Sequence, residues 1–130
     1  MKRSPLPPVR AGLLVAALAG LLVMGLAGCG ATTRVGSDRT LRVALTEYRV
    51  TPQDVHAAAG LLTLVVHNDG RLTHNLVILN GSVTEASSQP IAPGQTEDVE
   101  AVLAPGRYLM VSRIQSDQPL GAYGTLDVGS

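Results

Sequence analysis

The 130-residue chain holds one cysteine, no phenylalanine and no tryptophan, and its ten basic residues are balanced by ten acidic ones. Each shortage excludes something. A single cysteine, Cys29, allows no disulfide within the chain, so a folded domain must hold by packing alone. With Tyr48, Tyr108 and Tyr123 as the only aromatic residues, Val and Leu must fill the core. The residues after Cys29 show no helical period sustained over three turns, no internal repeat and no second domain. The best helical candidate there, PQDVHAAAG at 52–60, is short and reads as a connecting segment that carries His56.

Charge is unevenly placed. All ten acidic residues follow Cys29, whereas three of the ten basic ones precede it. The part from Cys29 onward therefore carries seven basic and ten acidic groups, a net of about minus three. Nucleic-acid binding is disfavoured, since affinity for a phosphate backbone comes from clustered cations.

The N-terminus has the order of a secretory signal. Lys2, Arg3 and Arg10 form a basic region, and the uncharged run AGLLVAALAGLLVMGLAG at 11–28 ends in small residues beside Cys29. Length alone would also suit a retained membrane-spanning helix. The context of the cysteine decides against that: LAGC at 26–29 resembles the lipobox of bacterial lipoproteins. The resemblance implies a signal peptide at 1–28, a diacylglyceryl group on the Cys29 thiol, and cleavage that makes Cys29 the first residue of the mature chain. Two or more acyl chains, at roughly 0.8 kcal/mol per buried methylene, hold a protein on a membrane where one chain does not. The expected location is the outer face of the bacterial cytoplasmic membrane or the cell envelope. No other thiol remains to act as a nucleophile or a metal ligand.

Residues 29–40 are small and polar and read as a flexible tether. From Leu41 the pattern changes to period two, with Leu41, Val43 and Leu45 alternating with Arg42, Ala44 and Thr46. Strand-sized runs recur at LLTLVVHN, HNLVILN, TEDVEAVL, RYLMVSRI and YGTLDV, separated by the turn signals HNDG, NG, APG and APG. Six or seven such strands predict an all-β fold, an antiparallel sandwich or barrel over residues 41–130.

Several pieces then fall into one order. Glu47, Tyr48 and Pro52 close the first strand; Asn68, Gly70, His74 and Asn75 sit mid-chain; Pro105, Gly106 and Tyr108 form a PGxY turn; and Gly121, Gly124, Thr125, Leu126 and Val128 mark the last strand. Together they resemble the cupredoxin family of small Greek-key β-sandwiches, which includes plastocyanin-like electron carriers.

The family's type 1 copper site takes one His from mid-chain, then Cys, His and Met from a single late loop. The resemblance places His74 at the first ligand, Ser112 at the Cys, Asp117 at the second His and Ala122 at the axial Met. Three of the four ligands are gone. A serine hydroxyl does not replace a thiolate that stays deprotonated and bonds both copper oxidation states, Asp117 is a hard oxygen donor, and Ala122 offers no donor atom. His67, expected at a strand end, His56 and Met110 are the other donors in the chain.

The expectation is a lipid-anchored, extracytoplasmic, non-enzymatic module that has kept the scaffold and lost type 1 copper. It holds no cofactor and binds an unidentified extracytoplasmic protein partner through the surface near His74 and the loop 113–123. The alternative is a copper-binding protein or electron carrier using His74 with rearranged ligands, most plausibly Asp117. The trio Ser112, His74 and Asp117 also invites a hydrolase reading, but no oxyanion hole or pocket is announced with it.

Overall fold

The structure is a computed structural model that describes Pro5, residues 30–114 and residues 122–130. Apart from Pro5, the expected signal segment lies outside the described residues, as do Cys29 and Asp117. Among those described there are ten strands and no helix: β1 Thr33–Arg34, β2 Thr40–Thr46, β3 Arg49–Thr51, β4 Asp54–Ala58, β5 Gly60–Asn68, β6 Val77–Asn80, β7 Val83–Ser87, β8 Thr96–Leu103, β9 Gly106–Val111 and β10 Tyr123–Gly129.

They form two sheets, in the orders β1-β4-β10-β9-β6-β7 and β3-β2-β5-β8. The expectation of an all-β fold of two sheets holds. The pairing is mixed rather than purely antiparallel, because β1 with β4, β4 with β10, and β2 with β5 run parallel. Parallel neighbours arise when the chain leaves one sheet, runs through the other and returns in the same direction.

Alternation along each strand sets which face meets the core. In β2 the buried apolar side chains are Leu41, Val43 and Leu45; in β5 they are Leu62, Leu64 and Val66. Val99, Ala101 and Leu103 of β8, Tyr108 and Met110 of β9, and Leu126 and Val128 of β10 close the same cluster. Each fully buried Val or Leu stabilises the fold by about 1.5–3 kcal/mol relative to exposure. Only one tyrosine joins this core: Tyr108 is buried and donates its hydroxyl to the Ala104 carbonyl at 2.7 Å. Val77, Leu79 and Val111 are buried on the other face of the six-stranded sheet, so the run VIL in β6 is covered on both sides.

The segment PQDVHAAAG does not connect two elements; its middle is β4, with Val55 and Ala57 buried and Asp54, His56 and Ala58 exposed. Alanines that looked helical lie beside β10, where strand pairing overrides their propensity. Part of the stretch read as a tether is also held to the sandwich. Thr33 and Arg34 pair with Val55 and His56, and the Val35 N–H donates to the His56 carbonyl at 2.9 Å. Arg39, at φ 58°, donates to the carbonyls of Ala58, Ala59 and Leu61 and so clasps the reversal between β4 and β5.

Gly124 marks a close approach to the backbone of the segment before β4. A Cβ there would stand 2.8 Å from the Gln53 carbonyl oxygen and 3.1 Å from Met110 Cε. The Gln53 carbonyl cannot retreat, because it accepts the Thr125 N–H at 2.6 Å. Gly124→Ala is expected to destabilise the domain by about 1–3 kcal/mol through overpacking, read as a lowered denaturant midpoint at unchanged slope.

Candidate functional site

The residues singled out in the sequence meet at the end of the sandwich where β2 and β5 finish. Asn68, the last residue of β5, is fully buried. Its amide donates to the carbonyls of Leu72 at 2.8 Å and Ile91 at 2.7 Å, and its Oδ1 accepts the Gly70 N–H at 2.8 Å. The last bond is the Asx turn that the HNDG signal implies. Asn68 also uses its main chain, donating to the Gln95 carbonyl and accepting from the Gly94 N–H.

His74 follows on this loop and is fully buried. Its backbone makes a two-way bridge with Ile91, donating at 3.1 Å and accepting at 2.7 Å. Its Nε2 lies 3.7 Å from Glu47 Oε1. That carboxylate is occupied on the same side, accepting the backbone N–H groups of Arg71 and, at 3.0 Å, Leu72. The bond from the Arg71 N–H is the main reason the Glu47 carboxyl titrates below the usual glutamate range, with Leu72 and the nearby imidazole adding to it.

Gly70 makes this crowding possible. A Cβ there would sit 2.7 Å from Glu47 Oε1, 2.9 Å from His74 Nε2 and 3.1 Å from Asn68 Oδ1. A side chain at this position would have to displace three polar groups at once.

On the other side of His74, Asn75 ties the loop to the end of β9. Its Oδ1 accepts the Arg113 N–H at 2.8 Å, and its N–H points to Ser112 Oγ at 3.4 Å. Ser112 is fully buried and donates its backbone N–H to the Ala122 carbonyl at 3.2 Å; Ala122 is also fully buried. The fold thus brings together the elements carrying His74, Ser112 and Ala122. Asp117 lies outside the described residues.

The other donors go elsewhere. His67, the penultimate residue of β5, bonds Thr96 Oγ1 through Nδ1 at 2.7 Å and lies 3.2 Å from Asp69 through Nε2. His56 is an exposed residue of β4 beside Asp127. Met110 is buried in the main core. Among the described residues no three His, Cys, Asp or Glu side chains are grouped closely enough to hold a metal ion.

Comparison with known proteins fits this arrangement. A family model for the cupredoxin-like domain matches residues 16–122. The chain belongs to that family. Auracyanin from the photosynthetic bacterium Roseiflexus castenholzii, reduced with dithionite, superposes with a TM-score of 0.67 at 18% identity, over 73% of this chain and 100% of the auracyanin. Auracyanin A of Chloroflexus aurantiacus, described as a blue copper protein, gives 0.62 at 18% identity over 74% and 99% of the two chains. An azurin from Methylomonas sp. strain J gives 0.60 at 12% identity over 70% and 98%. At these identities the likeness establishes the fold alone. A search of curated proteins returns no match.

The family implies copper, and the donor chemistry here can be tested against it. Type 1 copper needs a thiolate, two imidazoles and a weak axial ligand. Ser112, which the sequence resemblance sets at the thiolate position, is a buried hydroxyl turned toward the Asn75 N–H, and Ala122, set at the axial position, is a buried methyl. The described donors do not fit a type 1 centre.

Sequence reasoning missed Glu47 as the neighbour of His74. Its only trace was the Glu-aromatic pair at the end of the first strand, which carries no hint of partners more than twenty residues away.

Two outcomes follow from the site. Asn68→Ala removes two donors and one acceptor from a dry location and is expected to cost about 2–4 kcal/mol of stability, measured by chemical denaturation. Glu47 has a folded pKa below its unfolded one, so its contribution is full above the unfolded value and is lost as pH falls through the folded value. Glu47→Gln is expected to flatten the acid side of the stability-pH profile, and carboxyl titration by NMR should give the wild-type Glu47 a pKa below the ordinary glutamate value.

Proposed function

We propose that this protein is a lipid-anchored, extracytoplasmic cupredoxin-like module whose copper site has degenerated and whose role is binding or structural rather than catalytic. One observation carries the reading. Ser112, which the resemblance sets at the thiolate position, is a buried, uncharged hydroxyl beside the Asn75 N–H. A thiolate there would bury a negative charge that only a metal could balance. A hydroxyl is satisfied by the surrounding protein and needs none.

The N-terminal signal order and the LAGC run at 26–29 support anchoring through Cys29 at the outer face of the cytoplasmic membrane or in the cell envelope. The His74 end, where Glu47, Asn68 and Asn75 fix two loops, is the surface proposed for binding. The net negative charge after Cys29 argues against nucleic acid as its ligand.

The deciding experiment is metal titration of the chain in detergent with Cu(II), Cu(I) and Zn(II), followed by calorimetry and visible absorption. The expected result is no intense blue band and no stoichiometric binding that depends on His74. Tight binding abolished by His74→Ala would overturn this reading in favour of a copper protein with rearranged ligands.

A further inference from the structure

The chain enters the sandwich from a definite end. β1 is parallel to β4 and β10, so its N-terminal side points to where β10 begins, at Tyr123. Tyr123 follows Ala122, the partner of Ser112. Gly30 and Ala31, which precede β1 on that side, line a surface hollow with Arg49, Thr51, Pro52 and Gln53. Arg49 pairs with Thr46, the residue before Glu47. Gly30, the residue after the expected lipidation site, is therefore at the Glu47 and His74 end. The opposite end, where Gly60 pairs with Leu103, is the far one.

The surface at the near end has an unusual mixture. A groove there is lined by Thr46, Glu47, Tyr48, Arg49, Arg71 and Leu72. Tyr48 is 62% exposed and Leu72 45%. Arg49 and Arg71 have no ion-pair partner among the described residues. The nearby carboxylates are engaged: Glu47 with the backbone of the 70s loop, Asp69 with His67. The groove thus offers an aromatic ring with a polar tip, an aliphatic side chain and two uncommitted guanidinium groups. That set suits a headgroup layer, where tyrosine sits at the boundary and arginine meets phosphate.

We infer that this end rests on the membrane, with Tyr48 and Leu72 at headgroup depth and Arg49 and Arg71 on the phosphates of anionic lipids. The inference rests on the proposed anchoring through Cys29, and it names the lipid surface as what the His74 end binds. A protein partner would also accept such a groove, but the direction of the chain at Gly30 turns the groove toward the bilayer.

The test uses the absence of tryptophan from the chain. Full-length Tyr48→Trp and Val102→Trp are expressed in a bacterium that processes lipoproteins and reconstituted in phosphatidylcholine-phosphatidylglycerol vesicles with brominated acyl chains. Val102 is 76% exposed and lies on β8 opposite Leu61, toward the far end. Intact mass reports the lipid on Cys29 independently of the fluorescence. The expected result is a lipidated chain in which quenching at position 48 is about twofold or more that at 102, falling when Arg49→Ser and Arg71→Ser are added or when phosphatidylglycerol is left out. A lipidated chain with equal quenching at both positions overturns the inference and leaves the groove to a protein partner. A chain without lipid overturns the anchoring, and the inference with it.

Discussion

Asn68 is fully buried, and an amide taken out of water must find partners for two N–H groups and a carbonyl oxygen. It finds them on two separate loops: Leu72 and Gly70 on one, Ile91 on the other. Its main chain adds Gln95 and Gly94. The place of His74 follows from this, because the imidazole hangs on the first loop and its backbone is bridged to Ile91, which Asn68 already holds. Glu47 closes the arrangement from the end of β2 by accepting Arg71 and Leu72 N–H groups. A loop without regular structure is thereby held as firmly as a strand.

The fold was legible where side chains alternate. Leu41, Val43 and Leu45 in β2, or Leu62, Leu64 and Val66 in β5, show period two in the sequence and in the burial. β4 was not legible, because Ala57, Ala58 and Ala59 carry little hydrophobic contrast and good helix propensity, and only their neighbours in β10 and β1 decide the matter. Arg39 was read as part of a polar tether, since the carbonyls it clasps leave no mark in the sequence.

Within the site, His74, Ser112 and Ala122 were placed by resemblance to a ligand pattern, and the fold does bring the elements carrying them together. Glu47 could not be paired with His74 from the sequence. Its firmest partners are backbone N–H groups, which every residue has, so nothing about Arg71 or Leu72 announces them.

On the proposed reading, in which the copper site has degenerated, this end of the sandwich keeps its form for a physical reason. In a metal centre, buried charged donors are stabilised by the ion they hold, and removing the ion leaves charge in a poor dielectric. On that reading, Ser112 in place of the thiolate and Ala122 in place of the axial ligand remove that dependence, since a hydroxyl can be met by an amide and a methyl needs only contact. The bonds that organise the end do not involve the lost ligand atoms: Asn68 with Leu72 and Ile91, Asn75 with Arg113, and Ser112 with Ala122 through the backbone. The framework can therefore stand on hydrogen bonds and packing alone, while its outer surface leaves Tyr48 and Leu72 exposed.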